Sequence, residues 1–291
     1  MRKAALEKEM RSKLGRRPEA HKGDFGRIFI AAGAIGYTGA AHLAGMGAMR
    51  AGAGLVTVGV PEKIYAVAAR REAEVMVRPF PSTRQGSLAF RAAKPVLKFL
   101  ETQDVLAIGP GLSQVPETQR LARAVVLKAG LPKVIDADGI NAFRGRPELL
   151  KDLPGATIVT PHPGEFVRLF GGRTPGLPRE RVKRATEAAE KYRVIVVLKG
   201  RGTVVASPAG KTFVNSTGNA GMASGGTGDV LTGIVAALLG RGLTAWDAAR
   251  FGVYAHGFAG DLAAAQKGRS GLVASDLLEF LPAALKKILR F

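Results

Sequence analysis

The chain of 291 residues reads as an α/β protein built on one central, mostly parallel sheet covered by helices on both faces. Two observations lead there. Compact apolar runs alternate with segments that read as helices along nearly the whole length, the pattern of repeated strand–helix–strand units. Glycine-containing turns at 33–39, 109–111, 161–165 and 199–203 each follow one of those runs. In a parallel sheet such turns lie beyond the carboxyl ends of the strands and converge on one side, where ligands bind.

The elements follow in order. Residues 1–20 are polar and charged and are expected as a short helix or arm. The run 27–32 is the first strand, 33–39 a loop and 40–51 an alanine-rich helix. Gly45 and Gly47 lower the propensity of that helix, so close packing against a neighbour is the reason for them. A second strand spans 55–60, and Pro61 is placed to open the next helix. Helix, strand and turn recur at 90–100, 104–108 and 109–111, then a helix at 117–129 and a strand at 133–136. That strand runs into Asp136-Ala-Asp138-Gly139. A strand at 157–160 is closed by the turn 161–165, and a charged helix at 179–192 precedes a strand at 194–198. Runs 203–207 and 211–215 flank Pro208-Ala-Gly210 as a hairpin. Thr244 is the expected N-cap of a long helix over 245–266, and Ser275 of a last helix that Pro282 kinks or restarts. With no repeat, low-complexity tract or linker, 1–291 reads as one domain.

The stretch 219–233 is the chemical centre. Gly225, Gly226 and Gly228 let the backbone turn tightly and approach a ligand closely. Thr227 adds a hydroxyl, and the apolar segment behind it forms a helix whose first N–H groups are a ready anion site. Asp229 stands at that helix entrance. A carboxylate there opposes phosphate binding, so chemistry is the better reason for it: accepting the proton of a hydroxyl that attacks the phosphate. The plainer alternative is a helix cap.

Composition narrows the choices. The chain has no cysteine, which removes disulfides, thiolate metal sites and a cysteine nucleophile. His21, His42, His162 and His256 lack the short helical spacing of a zinc pair. There is no apolar leader and no uninterrupted membrane-length run, so the reading is cytoplasmic, with no membrane partner. The formal net charge is +20. Nucleic acid, a polyanionic small molecule or a generally basic surface would each account for it. The basic residues are dispersed and aromatics make up only 6%, which favours a nucleotide-sized polyanion and argues against nucleic acid.

Seven stretches in one order carry a resemblance: 21–26 (HKGDFG), 36–41 (GYTGAA), 107–112 (AIGPGL), 136–141 (DADGIN), 160–165 (TPHPGE), 198–203 (LKGRGT) and 218–229 (GNAGMASGGTGD). Together they resemble the NAD(P)H-hydrate dehydratase family, a branch of the three-layer ribokinase-like fold. The resemblance implies repair of hydrated NADH or NADPH in the S epimer, NADHX or NADPHX. ADP or ATP, with Mg2+, would phosphorylate the C6 hydroxyl, and phosphate would then leave. By motif, Asp229 is the base beside that hydroxyl, and Gly226, Thr227 and Gly228 hold the transferred phosphoryl group. Lys199, Gly200, Arg201, Gly202 and Thr203, with Gly228, would bind the adenine nucleotide. Ala40, Ala41, Gly111 and His162 would line the hydrated dinucleotide, and Asn141 and Glu165 would support them. No protein ligand to a metal is assigned.

Two departures stand out. Ala34 occupies a position where relatives often carry serine, and Ser224 one where threonine is common. The length suggests a stand-alone dehydratase, served by a separate epimerase and assembling as a homo-oligomer, a tetramer by analogy. The alternative is a ribokinase-like kinase of a vitamin precursor, using the same anion site and base but releasing a phosphorylated product.

Overall fold

The computed structural model describes residues 3–71, 73–174 and 176–290. Among them, one sheet holds nine strands: β1 (Arg27–Ala31), β2 (Leu55–Pro61), β3 (Met76–Phe80), β4 (Val105–Ile108), β5 (Lys133–Ile135), β6 (Thr157–Val159), β7 (Ile195–Leu198), β8 (Val204–Ala206) and β9 (Thr212–Val214). Their spatial order is β3-β2-β1-β4-β5-β6-β7-β8-β9. All pairings from β3 through β7 are parallel, and β8 and β9 close the sheet as an antiparallel hairpin. Strand order reverses between β1 and β4, which opens a crevice beyond their carboxyl ends.

The helices are α1 (Lys3–Leu14), α2 (Thr38–Arg50), α3 (Tyr65–Ala69), α4 (Ala93–Leu100), α5 (Pro116–Lys128), α6 (Ala137–Asn141), α7 (Pro163–Phe170), α8 (Pro178–Tyr192), α9 (Thr227–Gly240), α10 (Ala245–Lys267) and α11 (Ala274–Leu289). Strand side chains alternate between two cores. Ile28 and Ile30 join Val56, Val58 and the helices α1, α2, α9, α10 and α11 on one face. Phe29 and Ala31 join Leu106, Ile108 and the helices α4, α5, α7 and α8 on the other. This is the three-layer arrangement expected.

Helix α9 is the innermost. Every residue from Val230 to Leu239 is buried, as a helix that is apolar all round must be. Each fully buried leucine, isoleucine or valine there contributes roughly 1.5–3 kcal/mol. Its backbone meets that of α2 directly: a Cβ on Gly47 would lie 2.6 Å from the Val230 carbonyl oxygen, and one on Gly233 would lie 2.0 Å from that of Ala44. The expected reason for Gly47 is therefore met, while Gly45 faces Val58 and Val75.

The expected strands, the hairpin and the Thr244 cap are all present. Thr244 Oγ1 accepts the Asp247 N–H at 3.2 Å. Several expectations need correction. Pro61 ends β2, and a 3-10 turn, Glu62–Ile64, stands before α3. Strand β3 was not anticipated: Pro79 and an exposed Met76 disguise it, and proline is tolerated because β3 is an edge strand. The turn expected at 161–165 is cut short at Pro163, where α7 begins. Ser275 is not the cap of α11. The Asp276 carboxylate accepts the Val273 N–H at 2.8 Å, and the helix runs unbroken through Pro282. The expected N-terminal arm is α1, whose Leu6, Met10 and Leu14 are buried; the first two residues of that arm lie outside the described residues. Lys13 pairs with Asp247 at 2.5 Å, Arg250 bridges Glu9 and Asp247, and the Tyr254 hydroxyl donates to Glu7 at 2.7 Å.

Candidate active site

Parallel strands place all four glycine turns on one side. The Gly33 N–H donates to the Pro110 carbonyl at 2.9 Å, joining the turns after β1 and β4. Gly111 has φ +61°, and a Cβ there would lie 2.8 Å from Tyr37 Cβ and 2.9 Å from Ala40 Cβ. Ala40 and Gly111 are thus neighbours across the crevice. Ala41 is buried, its methyl turned to Gly33, so it can reach a ligand only through its backbone.

At the carboxyl end of β5, Asp136 is 1% exposed. Its Oδ1 accepts from Thr160 Oγ1 after β6 at 2.7 Å and from Lys199 Nζ after β7 at 2.7 Å. Its Oδ2 accepts from Thr232 Oγ1 of α9, also at 2.7 Å. Lys199, at the carboxyl end of β7, is therefore turned inward to the buried carboxylate. Its side chain is 18% exposed, and Glu165 Oε2 lies 3.8 Å from its ammonium. Burial works against the charge on Lys199, but Asp136, Glu165 and Asp229 hold its pKa above the usual lysine range. Glu165 is pushed upward, first by burial and then by Asp136, with Lys199 opposing.

His162 stands at the N-cap of α7. Its Nδ1 accepts the Gly164 N–H at 3.0 Å, and Glu165 Oε2 accepts the His162 N–H at 2.8 Å, a reciprocal box. The ring is half exposed. Burial, then Lys199 and Arg168, keep its pKa below the ordinary value. Asn141 bridges Asp138 at 3.0 Å and Arg168 at 3.1 Å, a supporting contact at the rim. In the turn 199–203, Gly200 (φ +131°) and Gly202 (φ +63°) take conformations open to glycine. Arg181 braces this turn from below, donating to the Leu198 and Lys199 carbonyls at 3.1 Å each. Arg201 is exposed, and the Thr203 hydroxyl donates to the Gly200 carbonyl at 2.9 Å.

The glycine-rich loop ends in Gly226 (φ +89°), which is the N-cap of α9 and supplies no side-chain cap. The first N–H groups of α9 are thus left for an anion. Asp229, the third residue of α9, does not cap the helix. Thr227 Oγ1 is spent on the loop, donating to the Met222 and Ser224 carbonyls at 3.0 and 3.1 Å. What Thr227 offers a phosphoryl group is therefore its backbone N–H. Ser224 Oγ is buried without a hydrogen-bond partner. From α10, the fully buried His256 places Nε2 at 2.8 Å from the Thr227 carbonyl; burial lowers its pKa to about 4, so the ring is neutral and donates there. Helix α10 also holds the approach to the loop: Asn215 and Thr217 bond to the Val253 and Tyr254 carbonyls, and Asp261 accepts from Gly218 and Asn219.

Gly228 lies over the buried pair. A Cβ on it would stand 3.3 Å from Lys199 Nζ and 3.9 Å from Asp136 Oδ2. Asp229 beside it has its pKa raised from 3.8 to about 7, by burial first and then by Asp136, Glu165 and Asp138, with Lys199 opposing. Unpaired N–H groups, an ammonium and a carboxyl that titrates near neutrality are thus in one place, the apparatus for moving a phosphoryl group and a proton. Asp136, Thr160, Thr232 and His256 were not among the sequence-derived candidates. Asp136 and Thr160 carried a signal only as the first residues of two of the seven stretches; Thr232 and His256 carried none.

The model of the NAD(P)H-hydrate dehydratase family matches residues 28–283. The bifunctional NAD(P)H-hydrate repair enzyme Nnr of Moorella thermoacetica is 43% identical over 279 residues, 96% of this chain and 53% of its own length. The chain spans about half the length of such relatives. The ADP/ATP-dependent NAD(P)H-hydrate dehydratase of Bacillus subtilis, co-crystallised with ATP and Mg2+, superposes with a TM-score of 0.84 at 34% identity, covering 97% of each chain. A ribokinase from Arabidopsis thaliana (TM-score 0.52, 16% identity, 88% of this chain and 98% of its own) shares the fold alone. The glycine-rich loop, the buried pair beneath it and a family match over nearly the whole sheet lead to one statement: this chain belongs to the NAD(P)H-hydrate dehydratase family.

Proposed function

We propose that the chain dehydrates the S epimers of NADHX and NADPHX, driven by ADP or ATP. The observation that carries the reading is the junction of the glycine-rich loop with α9, where N–H groups have no side-chain cap and Gly228 lies over the Lys199 ammonium; Asp229 follows it, its carboxyl pushed by burial up to about 7. Asp229 accepts the proton of the C6 hydroxyl as that oxygen attacks the terminal phosphorus. AMP leaves from ADP, or ADP from ATP. The N–H groups of Thr227 and Gly228 and the Lys199 ammonium take up charge on the transferred group, a preorganised arrangement that needs no rearrangement in the transition state. The C6–O bond then breaks with phosphate as leaving group, assisted by the ring nitrogen lone pair. Loss of the C5 proton restores the reduced nicotinamide. Phosphorylation is needed because hydroxide is a poor leaving group and phosphate a good one.

The turn 199–203 is assigned to the adenine nucleotide, and Ala40, Gly111 and His162, with the backbone at Ala41, to the dinucleotide. Mg2+ is expected with a nucleoside polyphosphate. Among the described residues no cluster of three or more His, Asp or Glu side chains can hold it, so it would ride on the phosphates. The net charge of +20 would draw both polyanions to the crevice. No described helix is long and apolar enough to cross a membrane. A cytoplasmic setting, an epimerase that supplies the reactive epimer and a homotetramer complete the proposal.

The test is incubation of the purified protein with hydrated NADH and ADP, ATP or neither, following reduced-nicotinamide absorbance. Nucleotide-dependent recovery of NADH with release of phosphate is expected. An untouched hydrate, with a vitamin precursor phosphorylated instead, would overturn it in favour of a small-molecule kinase.

A further inference from the structure

An aspartate at the start of a helix ordinarily turns its carboxylate back onto the first N–H groups. Asp136 occupies the N-cap position of α6 and makes no such bond. The next residue, Ala137, has φ +46°, a left-handed conformation uncommon for a residue with a Cβ. The backbone is thus bent so that a fully buried carboxylate points away from its own helix. Three donors from three other elements meet it: Thr160, Lys199 and Thr232. Thr232 lies one turn along α9 from Gly228, and Lys199 Nζ lies under Gly228. Strain of this kind persists where the surroundings over-determine it, and it clusters at functional sites.

We propose that Asp136 is a positioning residue: it locks the Lys199 ammonium beneath the anion-binding turn of α9 and sets the charge against which Asp229 ionises. The inference rests on the functional reading above for its purpose, but not for its test. Asp136 is buried with both carboxylate oxygens already engaged, so it acts through other side chains. The charged groups acting on Asp229 are Asp136 after β5, Asp138 in α6, Glu165 in α7 and Lys199 after β7. His256 in α10 stands behind Thr227 and is neutral. Asp136 is the largest of the charges that raise Asp229. Take it away and Lys199 acts on Asp229 unopposed by its partner, so the Asp229 carboxyl must ionise at lower pH.

The experiment follows the carboxyl 13C resonance of Asp229 against pH, assigned by its loss in Asp229→Asn. In the wild type the midpoint is expected near 7. In Asp136→Asn, which keeps the shape and most hydrogen-bonding capacity, it should fall by at least one pH unit. Should that variant fail to fold, Lys199→Met tests the same coupling with the opposite sign: the midpoint should rise. A wild-type midpoint in the ordinary carboxylate range, or one unmoved by either folded variant, overturns the proposal. Hydrate turnover measured on the same preparations separates the two ideas. A midpoint that shifts in the variants while the wild type itself shows no turnover would sink the dehydratase reading and leave the positioning role standing.

Discussion

Lys199→Ala is the most informative single change, because the structure makes it a stability variant as well as a binding one. The Lys199 side chain is 18% exposed and that of Asp136 1%, so water screens their 2.7 Å contact little. Removing one partner of a buried ion pair costs about 3–5 kcal/mol, since the other charge is left buried and unpaired. Asp136 would keep two threonine hydroxyls, which places the expected loss near the lower end, about 3 kcal/mol. Unfolding entropy of roughly 2.1 cal/mol/K per residue converts that to a fall of about 5 °C in Tm for a chain of this length. If Lys199 binds the nucleotide as proposed, the same variant loses a charge-assisted contact worth about 1.5–3 kcal/mol, and ADP should bind about ten- to a hundredfold more weakly. Calorimetric melts and titrations on one preparation read both. The double variant Lys199→Met/Asp136→Asn should recover more than half of the lost stability, because a neutral pair has no stranded charge. A Lys199→Ala protein that melts within about 1 °C of wild type would refute the buried-pair argument.

Asp229→Asn should fold and bind nucleotide, while turnover falls about 10²–10⁴-fold with loss of a positioned base; near-normal turnover would mean the base lies elsewhere. That variant should also be the more stable protein above pH 7. Between pH 3.8 and about 7 the unfolded chain gives up the Asp229 proton while the native state keeps it, so wild-type stability falls across that window by up to about 4 kcal/mol. His256 has the opposite slope. Its native pKa of about 4 lies below the ordinary 6.5, so the unfolded state gains a proton first and stability falls as pH drops from 6.5 to 4, by about 3 kcal/mol. The two nearly cancel in the wild type, and melts against pH should show a steeper acid loss in Asp229→Asn than in the parent; parallel curves would refute the Asp229 assignment, and a flat curve for Asp229→Asn between pH 6.5 and 4 that for His256. Gly228→Ala falls in the first turn of α9, where its methyl would crowd the locked Lys199 ammonium, so it should melt no higher than wild type despite alanine's usual helix advantage of about 0.5–1 kcal/mol. Its methyl, 3.3 Å from Lys199 Nζ, would occupy the anion site, so turnover should drop at least about tenfold; retained turnover would show that the phosphoryl group sits elsewhere.

The parallel sheet was legible because its strands are short apolar runs closed by glycine turns, and the turns sit at strand ends where such folds bind ligands. Strand β3 escaped because edge strands tolerate proline and half-exposure, the two features that make Met76–Phe80 look like a loop. Helix α7 escaped because Pro161 and Pro163 advertise a turn, although the second of them opens a helix with His162 as its cap. The anion loop and Asp229 are contiguous, and local sequence reveals them. Asp136 is different in kind. Its partners lie 24, 63 and 96 residues away, and no local pattern announces a meeting of four chain segments. The same holds for Thr227, whose hydroxyl looks like a ligand donor until the loop's own carbonyls claim it.

The contact of α2 with α9 has a mechanical consequence. Where Gly47 meets the Val230 carbonyl and Gly233 meets that of Ala44, two backbones touch with no side chain to act as a bearing. A slip of one residue along either axis is a 1.5 Å translation, and it would drive peptide groups into one another. Helix α9 is therefore a fixed post, and the carboxyl of Asp229 is surveyed from the far side of the molecule as much as from its own loop. Alanine at 47 or 233 would set a methyl against a carbonyl oxygen of the facing helix, so it would tilt the post and be scored in a turnover screen as an active-site lesion.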